Sequence, residues 1–158
     1  MIEQLRGAME EILIGDPRSL ASDVGPLIDA HAVEGLQPHV ERMQRQARLL
    51  QRIRPGALLA AGNFFPLQAF ELESLELLDK EVFGPILHVI RYRGDRLDAV
   101  VDAVNATGYG LTLGVHSRIE DTWQRVKARA RVGNLYINRN MIGAVVGVQP
   151  FGGEGLSG

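Results

Sequence analysis

An α/β fold, a mostly parallel sheet with flanking helices, is predicted by three observations. From residue 86 to residue 138 the apolar pattern runs strand–helix–strand–helix–strand, the order of βαβ crossovers. Turn signals separate these elements at Gly84-Pro85, Gly108 to Gly110 and Gly133. The chain has 158 residues, 46% of them hydrophobic, which is enough for one buried core.

The elements follow in order. Ile2, Leu5, Met9, Ile12 and Leu13 share one face at helical spacing, up to a stop at Gly15-Asp16-Pro17. Residues 15–29 are rich in Gly, Pro, Ser and Asp and read as a loop. A second helix is expected over about 30–53, with Val40, Met43, Ala47, Leu50 and Ile53 as its stripe. Ala57–Ala60 is a short apolar run, expected as a strand. Segments 64–66 and 70–72 read as extended or looped. Ile86–Tyr92 is β-branched and aromatic and reads as a central strand. Asp95 is placed to cap a helix running to about Ala106. Leu111–His116 is a strand. Ser117-Arg118-Ile119-Glu120 has the spacing of a capping box, opening a helix to about Arg131. Leu135–Asn138 is the next strand. Met141–Gly158 holds six glycines and shows neither helical nor strand period, so it reads as an unanchored loop at which the chain stops before its fold does.

Composition narrows the function. A net charge of -2 gives no global field favouring nucleic acid or an anionic membrane. There is no cysteine, hence no disulfide, thiolate metal site or cysteine nucleophile within the chain. No stretch approaches the ~18 apolar residues of a membrane helix, and the charged N-terminus lacks a signal peptide's apolar run. A cytoplasmic location is the expectation. His31, His39, His88 and His116 are scattered without metal-ligand spacing and read as structural or surface residues. Arg42, Arg45, Arg48, Arg52 and Arg54 read as a solvated helix face.

Two motifs bear chemistry. In Glu81-Val82-Phe83-Gly84-Pro85, a carboxylate able to accept both hydroxyls of a diol stands beside a ring able to pack on a flat heterocycle. The same residues also suit an exposed Glu and a core Phe at a loop–strand junction. Residues 143–153, GAVVGVQPFGG, hold glycines that let successive backbone N–H groups approach a carboxylate, with a Phe able to close over an aliphatic stem. A surface glycine loop is the other reading. Gly108-Tyr109-Gly110 leads into a strand and reads as a helix C-cap rather than a dinucleotide fingerprint.

Taken together, these segments resemble the C-terminal part of an aldehyde dehydrogenase catalytic domain. ELESLELLDKEVFGPILHVIRY, NATGYGLTLGVHSRI and NRNMIGAVVGVQPFGGEGLSG carry a finer resemblance, to the L-glutamate γ-semialdehyde (Δ1-pyrroline-5-carboxylate) dehydrogenases, in particular that module of bifunctional proline-utilisation flavoproteins. The resemblance implies a single partial domain over residues 1–158, incomplete at both ends and without the Rossmann NAD-binding domain. It implies that Glu81 holds the nicotinamide ribose and that Phe83 packs near the nicotinamide. Gly143 and Ala144 would bind the substrate α-carboxylate through their amides, and Phe151 would pack on its aliphatic part. Many relatives carry Ser at the position of Ala144, so one hydroxyl contact is absent. NAD is the implied cofactor; FAD would enter only with a fused proline dehydrogenase domain and would not be bound by this chain. The implied partners are glutamate semialdehyde, the remainder of the domain and, when complete, further copies in a homo-oligomer, with no nucleic acid and no membrane. The family's catalytic cysteine is not in this chain, which is therefore expected to be inactive alone. Two alternatives are a non-catalytic packing or oligomerisation module and a piece of another semialdehyde dehydrogenase.

Overall fold

The computed structural model describes residues 1–56 and 62–158. The strand expected at Ala57–Ala60 lies outside the described residues. The chain falls into two compact units, Met1–Arg91 and Tyr92–Gly158.

In the first unit, helices α1 (Ile2–Glu10) and α2 (Ala30–Gln46) accompany strands β1 (Arg48–Ile53), β2 (Leu67–Leu72) and β3 (Ile86–Ile90). The sheet order is β1-β2-β3, with β1 antiparallel and β3 parallel to β2. Strand alternation sends Phe70 and Leu72 to one face and Ala69 to the other. Phe70 and Leu72 pack with Leu36, Val40 and Met43, which recur at helical spacing on α2. Ala69 packs with Met9 of α1 and Leu50. Each face of the sheet is therefore covered by one helix. Helix α2 starts where the Asp29 carboxylate accepts the Ala32 N–H at 2.7 Å. Asp29→Ala is expected to lower stability by about 1 kcal/mol, the usual worth of an N-cap, read as a shift in the urea midpoint.

The second helix ends seven residues earlier than its apolar stripe implies. Ala47 is already extended (φ -137°, ψ 162°), and Arg48–Ile53 pairs with β2. The register shifts between Leu49 and Gln51, as at a β-bulge. That shift puts Leu50 and Ile53 in one cluster with Met9 and Ala69. A three-residue spacing, foreign to a regular strand, so imitates a helix. Ile86–Ile90 is a strand as expected, but within the described sheet it lies at the edge. The central place belongs to β2, whose Gln68, Ala69 and Phe70 are all fully buried.

The second unit contains α3 (Leu97–Ala106), β4 (Tyr109–Gly110), β5 (Thr112–Val115), α4 (Glu120–Arg129), β6 (Asn134–Ile137) and β7 (Glu154–Gly155). Strands β5 and β6 are parallel, so the expected β–α–β crossover is present. Leu97, Val101 and Val126 form the core, with Leu113, Val115 and Leu135 packed against it. Arg125 and Arg129 of α4 pair with Asp98 and Asp102 of α3 at 2.8 and 2.5 Å. Asn105 donates to the Arg129 carbonyl and accepts the Arg131 N–H, both at 2.9 Å, which satisfies groups at the end of α4.

Both expected N-caps are replaced. The Asp95 carboxylate is held by Arg93, and α3 starts after a short 3₁₀ turn with no side-chain cap. Ile119 stays extended, so α4 begins at Glu120, and the Ser117 hydroxyl accepts the nearer Ile119 N–H at 3.1 Å. Ser117 is fixed by Asn138, whose side chain accepts its N–H and donates to its carbonyl, both at 2.9 Å. The glycine tail is also anchored, contrary to expectation. β7 pairs antiparallel with β4, and the Leu156 N–H reaches the Gly108 carbonyl at 2.8 Å.

Candidate functional site

The Glu81–Pro85 motif is built into the first unit's sheet. The Pro85 carbonyl accepts the Gln68 N–H at 3.0 Å, and the Gly84 carbonyl accepts the Ile86 N–H at 2.8 Å. Gly84 lies so close to Leu36 of α2 that a Cβ there would collide with the leucine methyls. Val82 packs into the α2-side core. Glu81 and Phe83, on either side of it, are exposed, Phe83 by 78%. Within the described residues nothing covers the Phe83 ring. An uncovered ring beside an uncovered carboxylate can meet a flat polyhydroxylated ligand.

The second motif lies in the other unit. The Val145 carbonyl accepts the N–H groups of Val148 and Gln149 at 3.0 and 3.1 Å, closing a tight turn. Gly147 occupies it at φ +79°, a conformation that favours glycine. Among the described residues, the Gly143 and Ala144 N–H groups donate to no protein acceptor. Gly143 is exposed with open space around it, Ala144 is half-buried, and Phe151 is 77% exposed. Of the five residues, Glu81 and Phe83 thus belong to the first unit, and Gly143, Ala144 and Phe151 to the second.

The sequence model of the aldehyde dehydrogenase family matches residues 1–158. The chain belongs to the aldehyde dehydrogenase family. It is 52% identical over 162 residues to the bifunctional protein PutA of Klebsiella aerogenes, covering 99% of this chain and 12% of that protein. Among solved structures it is similar to a variant of Bradyrhizobium japonicum proline utilization A (PutA), with a TM-score of 0.93 and 53% identity. That match covers 99% of this chain and 16% of the other. It is also similar to a 1-pyrroline-5-carboxylate dehydrogenase from Thermus with bound NAD, with a TM-score of 0.83 and 31% identity, over 98% of this chain and 29% of the other. The chain therefore spans a minor part of the relatives it matches.

Within this aldehyde dehydrogenase segment the structure shows groupings that spacing did not reveal. His39 of α2 and His88 of β3, 49 positions apart, meet with their Nε2 atoms 3.0 Å apart and their rings edge to face. Arg42 lies 3.4 Å from His39 Nδ1 and pairs with Asp79 at 2.8 Å. A guanidinium only donates, so His39 Nδ1 is the acceptor and its Nε2–H donates to His88. Burial, then His39, then Arg42 push His88 down to about 4, and burial followed by Arg42 lowers His39. Among the described residues no group of three or more His, Cys, Asp or Glu could hold a metal. A cleft of about 650 Å³ in the first unit is lined by Arg45, Arg48, Glu71, Glu73 and Arg91 and by none of the sequence-derived site residues. Its Glu71 is already engaged by Arg48 and Arg91. No described helix is long and apolar enough to cross a membrane.

Proposed function

We propose that this chain is part of a cytoplasmic NAD-dependent dehydrogenase that oxidises L-glutamate γ-semialdehyde to L-glutamate. NAD, when bound, supplies the hydride acceptor. The Glu81 carboxylate accepts the hydroxyls of its nicotinamide ribose, and Phe83 packs beside the nicotinamide. The Gly143 and Ala144 amides hold the substrate α-carboxylate. Phe151 covers its aliphatic stem, which orients the aldehyde without touching it. The observation that carries the reading is the pair of uncommitted amides in a loop that also bears an uncovered Phe, a donor set suited to a carboxylate on an apolar chain. The same pair speaks against a packing module, which has no use for it. The reacting thiolate comes from outside these 158 residues, because the chain has no cysteine.

The test is a graft. Residues 1–158 replace the matching segment of the Klebsiella aerogenes PutA protein, and NAD reduction is followed with glutamate semialdehyde. The graft is expected to turn over. Glu81→Ala is expected to raise the KM for NAD about tenfold or more, the loss of a charge-assisted hydrogen bond. Phe151→Ala is expected to raise the KM for the semialdehyde and leave the KM for NAD unchanged. A folded graft that is inactive, or one that turns over succinate semialdehyde in preference, would sink the assignment. So would NAD reduction by the 158-residue chain alone.

A further inference from the structure

We infer that Gln149 is the positioning residue of the glycine loop, and that its side chain sets the Gly143 and Ala144 amides in place for an anionic ligand. The inference rests on the carboxylate-anchor reading of that loop and adds a residue to it.

Packing does not hold this loop. Ile142, Val146, Val148 and Phe151 are all at least three-quarters exposed, and nothing lies within 4 Å of where a Cβ would stand on Gly143 or Gly147. What remains is a two-point clasp between residues 145 and 149. The Gln149 N–H donates to the Val145 carbonyl at 3.1 Å, and the Val145 N–H donates to Gln149 Oε1 at 2.7 Å. Because the Val145 group is a donor, the atom facing it must be the amide oxygen. That oxygen has a second lone pair, and the Tyr136 hydroxyl donates to it at 3.3 Å. Tyr136 is buried in β6, with the Arg139 guanidinium 4.5 Å from its ring centre. The clasp is thereby tied to the parallel strand pair.

The clasp also commits one amide of the loop. It consumes the Val145 N–H, the next in line after the two anchor amides. Gly143 and Ala144, immediately before it, keep theirs. Without the Gln149 oxygen, Val145 would lose its acceptor and the loop its tie to Tyr136.

Amide exchange and chemical shifts of the full chain test this, with L-glutamate as the probe. In Gln149→Leu, Val145 is expected to exchange about fivefold faster or more, the worth of one hydrogen bond. Glutamate-induced shifts at Gly143 and Ala144 are expected to fall with it, while the β5 and β6 amides keep their protection. Gln149→Glu retains an acceptor oxygen and is expected to restore the Val145 protection. Unchanged Val145 exchange in Gln149→Leu would overturn the inference, as would undiminished glutamate shifts. If Val145 responds as expected but glutamate leaves Gly143 and Ala144 unmoved even in the parent chain, the anchor reading fails while the clasp stands.

Discussion

Gly133→Ala is expected to detach residues 152–158 from the second unit. A Cβ at position 133 would run into the Gly152 carbonyl and come within 2.9 Å of Gly153 Cα. These are backbone atoms, so no rotamer change relieves the clash. Gly133 cannot retreat, because its own N–H donates to the Gly110 carbonyl at 2.9 Å at the entrance to β6. The tail must move instead. It would give up the pairing of Gly110 with Glu154, the Leu156 bond to Gly108, and the Ser157 hydroxyl that accepts the Gly110 N–H. Overpacking of this kind costs about 1–3 kcal/mol, and the upper end applies where backbone meets backbone. Amide exchange reports the result: Leu156 loses its protection, while Leu135 and Tyr136 keep theirs. A Leu156 amide as protected as in the parent would show that the close approach is not needed.

Acidification from pH 6.5 to about 4 is expected to destabilise the chain by on the order of 2 kcal/mol through His88. The folded state holds His88 neutral down to about 4, whereas the unfolded chain takes up the proton near the ordinary 6.5. In that window the unfolded state binds more protons, so stability is complete above pH 6.5 and falls as the pH drops toward 4. The half-buried position screens the effect, which is why it is placed below the ~3.4 kcal/mol that the full displacement would carry. Arg42 faces the pair from α2, and Asp79 and Lys80 from the segment before β3. Asp79 and Asp102, held below the usual carboxylate range by Arg42 and Arg129, act in a lower window: their contribution is lost only as pH falls below about 4. Urea denaturation at pH 7, 5.5 and 4.5 separates the two. In His88→Leu the loss between pH 7 and 4.5 should shrink to the part that His39, also lowered by burial, carries. An equal loss in the variant would mean that His88 does not carry it.

How far the sequence speaks depends on what each element is made of. Helix α2 and the β5–α4–β6 crossover were legible because side chains define them: Val40 and Met43 at helical spacing, and Leu113, Val115, Val126 and Leu135 around one core. β1 was hidden because a register shift imposed helical spacing on Leu50 and Ile53. β7 was hidden because its two residues are held by backbone bonds, which leave no side-chain period. The capping box failed through a competitor 21 positions away, Asn138, which no local pattern contains. Among the candidate site residues, Glu81 and Phe83 were legible as a motif, and their exposure follows from Val82 facing inward. Gln149 was overlooked because its role is a return contact within the loop. A polar side chain four positions after Val145, inside a run of glycines and valines, was the one available signal.

The separation of duties inside residues 143–151 bears on how this segment is altered. Its backbone course is written by Gly147, Gln149 and Tyr136, and its outward surface by Val145, Val146, Val148 and Phe151. Libraries confined to the second set recolour the surface and keep the scaffold. A library that touches the first set redraws the scaffold itself, and hits from it would report shape rather than preference.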